Sequence, residues 1–117
     1  MSATLFDLGV YLFHNALELG KQQGGAYITI PKLESAEEAL FYANVLEECS
    51  RYLQLQTDIK VSVVVETIRC VSQLDEIIYA LRHYIVSLNA GKWGYQFDII
   101  KKFMHDKNLW FPTYFSN

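Results

Sequence analysis

Glu66 directly follows Val63, Val64 and Val65, so its carboxylate stands where a buried strand gives way to a loop. A carboxylate in that position serves as a ligand for a cation or as a capped, solvated residue, and the residue type supports both readings. Further along, Asn89 to Trp93 forms a second cluster of chemical interest. The stretch from Ala90 to Tyr95 is read as a turn before a helix. Its backbone N–H groups can point at an anion, and Gly91 lets that anion approach the chain closely. Trp93 either covers such a site or packs beside the turn. Lys32 and Glu34 follow an earlier strand, and Thr67 follows Glu66. His14, His83 and His105 lie on separate segments without ligand spacing, and no Ser/His/Asp or Cys/His arrangement is visible.

These residues need elements to bring them together, and hydrophobic spacing supplies them. Leu5, Leu8, Leu12, Ala16 and Leu19 recur at intervals of three and four, which predicts a helix with one apolar face. Gly24 and Gly25 break it, and the β-branched and aromatic run from Ala26 to Pro31 reads as a strand. Ser35 and Glu38 have capping-box spacing, so a helix is expected from Ala36 to Leu53, packing through Ala36, Leu40, Ala43 and Leu46. Ile59 to Glu66 reads as a strand covered on both faces. Ser72 and Asp75 suggest a second capping box before a helix ending near Arg82. A strand from Ile85 to Leu88, a turn at Asn89 to Gly91 and a helix from Tyr95 to Met104 complete the order.

A helix followed by three βα units is the alternation that builds a parallel sheet through right-handed crossovers. In such folds functional groups gather at the carboxyl ends of the strands, which is where Lys32, Glu66 and the Gly91 turn fall.

The 117 residues, 51% hydrophobic and 20% charged, suffice for one domain over residues 1–117 with a buried core. A net charge of −3 with scattered Lys and Arg gives no footprint for nucleic acid. No apolar run reaches the ~18 residues of a membrane span, and the N-terminus lacks the basic flank of a secretory signal. Cys49 and Cys70 read as two buried thiols in a reducing compartment. The aromatic tail from Trp110 to Phe115 is a candidate cover for exposed apolar surface.

Four strings are more specific: LFDLGVYLFHNA from Leu5, IPKLES from Ile30, VVVETI from Val63 and LDEIIYALRHYIVSLNAGKW from Leu74. In this order they closely resemble the central part of malate synthase, of the shorter A-type form. The resemblance implies a partial TIM-type barrel. Its family reaction condenses glyoxylate with acetyl-CoA and water to give malate and CoA, with magnesium, in the glyoxylate cycle.

By that resemblance Glu66 matches the magnesium-binding Glu of the family's ET motif. Gly91, Lys92 and Trp93 match a loop of the form CGRWDY, whose backbone holds glyoxylate and whose Asp is the second carboxylate on magnesium. Gly94 stands where that Asp would be, which weakens magnesium binding; Asp98, one helical turn on, is a minor candidate to reach back in its place.

The family's catalytic Arg lies upstream of the matched region and its general-base Asp downstream, so no catalytic residue is assigned here. The chain is therefore expected to be incomplete and inactive alone, which leaves catalysis by it open. The alternatives are a non-catalytic remnant or interaction module of the same fold, and a small metal-dependent lyase or aldolase using Glu66 alone. Unpaired sheet edges predict self-association. The final residues, Tyr114 to Asn117, do not form a Ser-Lys-Leu address, which leaves cytosolic and peroxisomal or glyoxysomal locations open and secretion unexpected.

Overall fold

A computed structural model describes residues 2–21 and 24–106. The elements are α1 (Ala3–Lys21), β1 (Ala26–Ile30), α2 (Ala36–Tyr52), β2 (Ile59–Val65), α3 (Ile68–Ser72), α4 (Leu74–Ala80), β3 (Ile85–Ala90) and α5 (Lys92–Phe103). The strands form one parallel sheet in the order β1-β2-β3. This is the expected α/β alternation, and the sheet is open at both edges among the described residues. A radius of gyration of 17.5 Å, against about 13 Å for a compact domain of this length, fits an unclosed section of a barrel.

Register decides which residues face the helices. Ile28 pairs with Val61, and Ile30 with Val63, which in turn pairs with Leu88. Paired residues share a face, because side chains alternate along each strand and neighbours lie in register. Ala26, Ile30, Ile59, Val61 and Val63 are buried on the helical side together with Leu12 and Ala16 of α1, Ala39, Ala43 and Leu46 of α2, and Ile77 of α4. The opposite face carries Tyr27, Thr29, Lys60, Ser62, Val64, Ser87 and Asn89. In a closed barrel that face would be the interior, and here it is open. Burial of β2 on both faces is accordingly corrected: Lys60, Ser62 and Val64 are only half-buried, because closing that face takes further strands.

Other expectations shift locally. Ser35 does cap α2, accepting from the Glu38 N–H at 3.2 Å, while the Glu38 carboxylate accepts from the Glu34 N–H at 2.8 Å. Leu40 is 51% exposed and Ala39 takes its place in the core. Ser72 caps nothing; its hydroxyl donates to the Arg69 carbonyl at 2.8 Å. The cap belongs to Thr67, whose Oγ1 accepts from the Cys70 N–H at 3.0 Å and donates to the Leu33 carbonyl at 2.8 Å, fixing the start of α3 against the β1–α2 loop. Asn89 and Ala90 extend β3 rather than turning, and α5 begins at Lys92 instead of Tyr95. Cys70 is buried as expected, whereas Cys49 is half-buried; both are free thiols. The tail from Trp110 to Phe115 lies outside the described residues.

Candidate functional site

Glu66, the first residue beyond β2, anchors a cluster at the carboxyl end of the sheet. Lys32 reaches it from the end of β1 with two groups. The Lys32 N–H donates to Glu66 Oε1 at 3.1 Å, and Lys32 Nζ donates to Oε2 at 2.9 Å. The carboxylate side is 12% exposed and the lysine side 64%, so the pair straddles the protein surface. Lys32 adopts φ 59°, a left-handed conformation uncommon for a residue with a Cβ. That turn redirects the chain after β1 so that main chain and side chain converge on one carboxylate.

The third side of the cluster is the turn into α5. The Gly91 N–H donates to the Val65 carbonyl at 2.9 Å, stitching this turn to the end of β2. A Cβ on Gly91 would lie 2.5 Å from Glu66 Cβ and 2.8 Å from Val64 Cγ1; one on Gly94 would lie 2.2 Å from Glu66 Oε2. Close approach to Glu66 Cβ and Val64 Cγ1 thus requires glycine at position 91, whereas at position 94 the atom met first is the movable end of the Glu66 side chain. The structure therefore brings Glu66 and the Gly91 to Gly94 turn together, and it adds Lys32 as the direct partner.

Lys92 and Trp93 project differently. The Lys92 ammonium lies 5.3 Å from the centroid of the Trp93 ring, a cation–π arrangement. Trp93 is 79% exposed, so in this chain its ring covers no pocket. What the turn offers an anion is the first-turn backbone N–H groups of α5, whose first helical bond runs from the Tyr95 N–H to the Gly91 carbonyl.

Asp98 does not turn back toward Glu66. Its Oδ2 accepts from the Ile68 N–H at 2.8 Å and from Lys102 Nζ at 2.9 Å, so it caps α3 from across the sheet end. Those bonds, the Ile68 N–H first, hold its carboxyl below the usual value of 3.8. Arg69 and Glu34 form an outer ion pair at 3.5 Å on the rim. Burial pushes the Cys70 thiol up, away from the thiolate that nucleophilic chemistry requires.

Against known families, the chain matches the model described as malate synthase, TIM barrel domain, over residues 1–114. It belongs to that family. The chain is 43% identical over 115 residues to the bifunctional glyoxylate cycle protein of Caenorhabditis elegans, covering 97% of this chain and 12% of that protein. It is 41% identical over 104 residues to malate synthase of Dictyostelium discoideum, covering 88% of this chain and 19% of the relative. With malate synthase A of Escherichia coli it shares 39% identity over 99 residues, 84% of this chain and 19% of the relative. The chain thus spans about a fifth or less of the length of these relatives.

Malate synthases use magnesium, which gives the donor set here a specific test. Magnesium takes oxygen ligands in a near-octahedral shell at about 2.0–2.1 Å, usually from one or two carboxylates with waters and substrate oxygens. Around Glu66 the chain offers a single carboxylate, both oxygens of which are engaged by Lys32. Gly94 contributes no ligand, and among the described residues no group of three or more His, Cys, Asp or Glu could hold a metal ion. The residues present do not fit the ion.

Proposed function

We propose that this chain is the central segment of a malate synthase barrel, one domain-forming unit over residues 1–117 that supplies one wall of the glyoxylate pocket and does not turn over alone. The observation that carries this reading is the convergence of Glu66 with the Gly91 to Gly94 turn at the carboxyl ends of the strands. In this reading the backbone N–H groups of Lys92 and Trp93 cradle the glyoxylate carboxylate, and Gly91, whose own N–H is held by the Val65 carbonyl, lets it approach the chain closely. Glu66 is the acidic group beside it, at the position that holds magnesium in the family.

Forming malate from acetyl-CoA and glyoxylate takes a base to remove a proton from the acetyl methyl group and a cation to stabilise the enolate oxygen. Neither role is assigned to a residue among those described. In the family the corresponding Arg and Asp lie outside the stretch that this chain matches.

Gly94 favours a second reading, in which the product is a non-catalytic module of the same fold. Replacing the matching stretch of Escherichia coli malate synthase A with this chain distinguishes the two. A folded chimera that releases CoA from acetyl-CoA only with glyoxylate, once Gly94→Asp is introduced, supports the enzyme segment; a folded chimera without that reaction supports the module.

The relatives from Cucurbita maxima and Candida tropicalis are named as glyoxysomal enzymes. These names support a peroxisome-type location, with the cytosol as the alternative. The open sheet edges support self-association of the chain when it is isolated.

A further inference from the structure

We propose that in this chain the cation that neutralises Glu66 is the Lys32 ammonium, so that the loop cluster is built and held without a divalent ion. The proposal rests on the geometry of Lys32, Glu66 and the turn at Gly94 and, for the second carboxylate it is compared against, on the family reading proposed above. Charge balance is the first support. Two carboxylates facing one another call for a divalent ion, because like charges at close range disfavour ionisation of both. With glycine at position 94 only one negative charge remains, and one ammonium at 2.9 Å balances it.

Space is the second support. The turn into α5 packs so tightly on Glu66 that a Cβ at position 94 would lie 2.2 Å from Oε2 and 2.9 Å from Glu66 Cβ. A Cβ there meets the Glu66 carboxylate first, so the space beside the turn is taken by the carboxylate that Lys32 bonds. The third support is conformational. Lys32 holds a left-handed φ of 59°, and in that conformation its N–H and its Nζ meet the two oxygens of the same carboxylate. Two donors on two oxygens fix the carboxylate plane, the orienting function that a metal ion serves elsewhere.

Titration of the purified chain with Mn²⁺, followed by loss of the free-ion electron paramagnetic resonance signal, tests this directly. The expected result is no saturable loss of signal for the wild-type chain up to millimolar Mn²⁺, and an unfolding midpoint that is the same in Mg²⁺ and in EDTA. Gly94→Asp is expected to gain saturable Mn²⁺ binding: the added side chain meets the far end of Glu66 first, so the ion replaces the Lys32 bonds and the carboxylate turns toward it. Lys32→Met is expected to lower the unfolding midpoint in a way that Mg²⁺ does not repair. Saturable Mn²⁺ binding by the wild-type chain that Glu66→Gln abolishes would overturn the proposal. So would a folded Gly94→Asp chain that binds no Mn²⁺. Should Gly94→Asp fail to fold, the wild-type titration and the Lys32→Met midpoint decide it.

Discussion

Lys32 and Glu66, thirty-four positions apart, are joined by two hydrogen bonds, one from the lysine backbone and one from its side chain. The pair ties the end of β1 to the end of β2, so it organises the site and also contributes to the fold. Lys32→Met removes the ammonium but keeps the backbone bond. Because the lysine side chain is 64% exposed, solvent screening limits the loss to about 0.5–1 kcal/mol, read by urea denaturation. A loss of several kcal/mol would show that Glu66 is far more desolvated than this geometry implies.

Thr67→Val keeps the volume of a buried side chain while removing both of its hydrogen bonds. The Cys70 N–H at the start of α3 and the Leu33 carbonyl lose their partner together. The expected destabilisation is about 2 kcal/mol, and Thr67→Ser should recover most of it. Equal stability of the valine and serine variants would rule out the capping role.

Asp98 makes the fold acid-sensitive in a defined window. Its carboxyl lies below the ordinary 3.8, so its contribution is complete above that value and is lost as pH falls through the lower folded value. Asp98→Asn should therefore be less stable than the parent at pH 7, and the difference should shrink as the pH is lowered below ~4. A difference that is independent of pH would contradict the assignment of the charge to this contact.

Among the described residues the outer edge of β3 is unpaired and Val86 and Leu88 are exposed, and unpaired parallel edges recruit other strands. The isolated chain should elute above its monomer mass in size-exclusion chromatography with light scattering. Val86→Lys with Leu88→Lys should shift it toward monomer. A monomeric wild-type chain with a cooperative thermal transition would show that the edges are covered.

Much of this arrangement was legible in the sequence because it is local. β-branched runs marked the strands, Ser35 and Glu38 marked the start of α2, and a carboxylate after three valines pointed to the strand end where the site lies. What sequence spacing missed depends on contacts between distant segments. Lys32 becomes the partner of Glu66 only through a left-handed turn that no helix or strand periodicity encodes. Thr67 has Cys70 three residues later, so the reciprocal Glu of a capping box is missing and Ser72 with Asp75 looked the better cap. Burial of β2 on one face follows from strands that three βα units do not supply. Gly91 looks like a turn residue, yet its proximity to Glu66 Cβ and Val64 Cγ1 is what demands glycine there.

The most direct measurement is glyoxylate-dependent CoA release by Escherichia coli malate synthase A carrying this chain in place of its matching stretch, with and without Gly94→Asp. If the chain is a barrel segment holding half of the pocket, the unsubstituted chimera folds but is slow. Gly94→Asp then raises its rate on the order of tenfold or more, the scale on which metal-site groups act. A folded chimera whose rate is the same with glycine or aspartate at that position would contradict the placement of Glu66 and the Gly91 to Gly94 turn in the glyoxylate pocket.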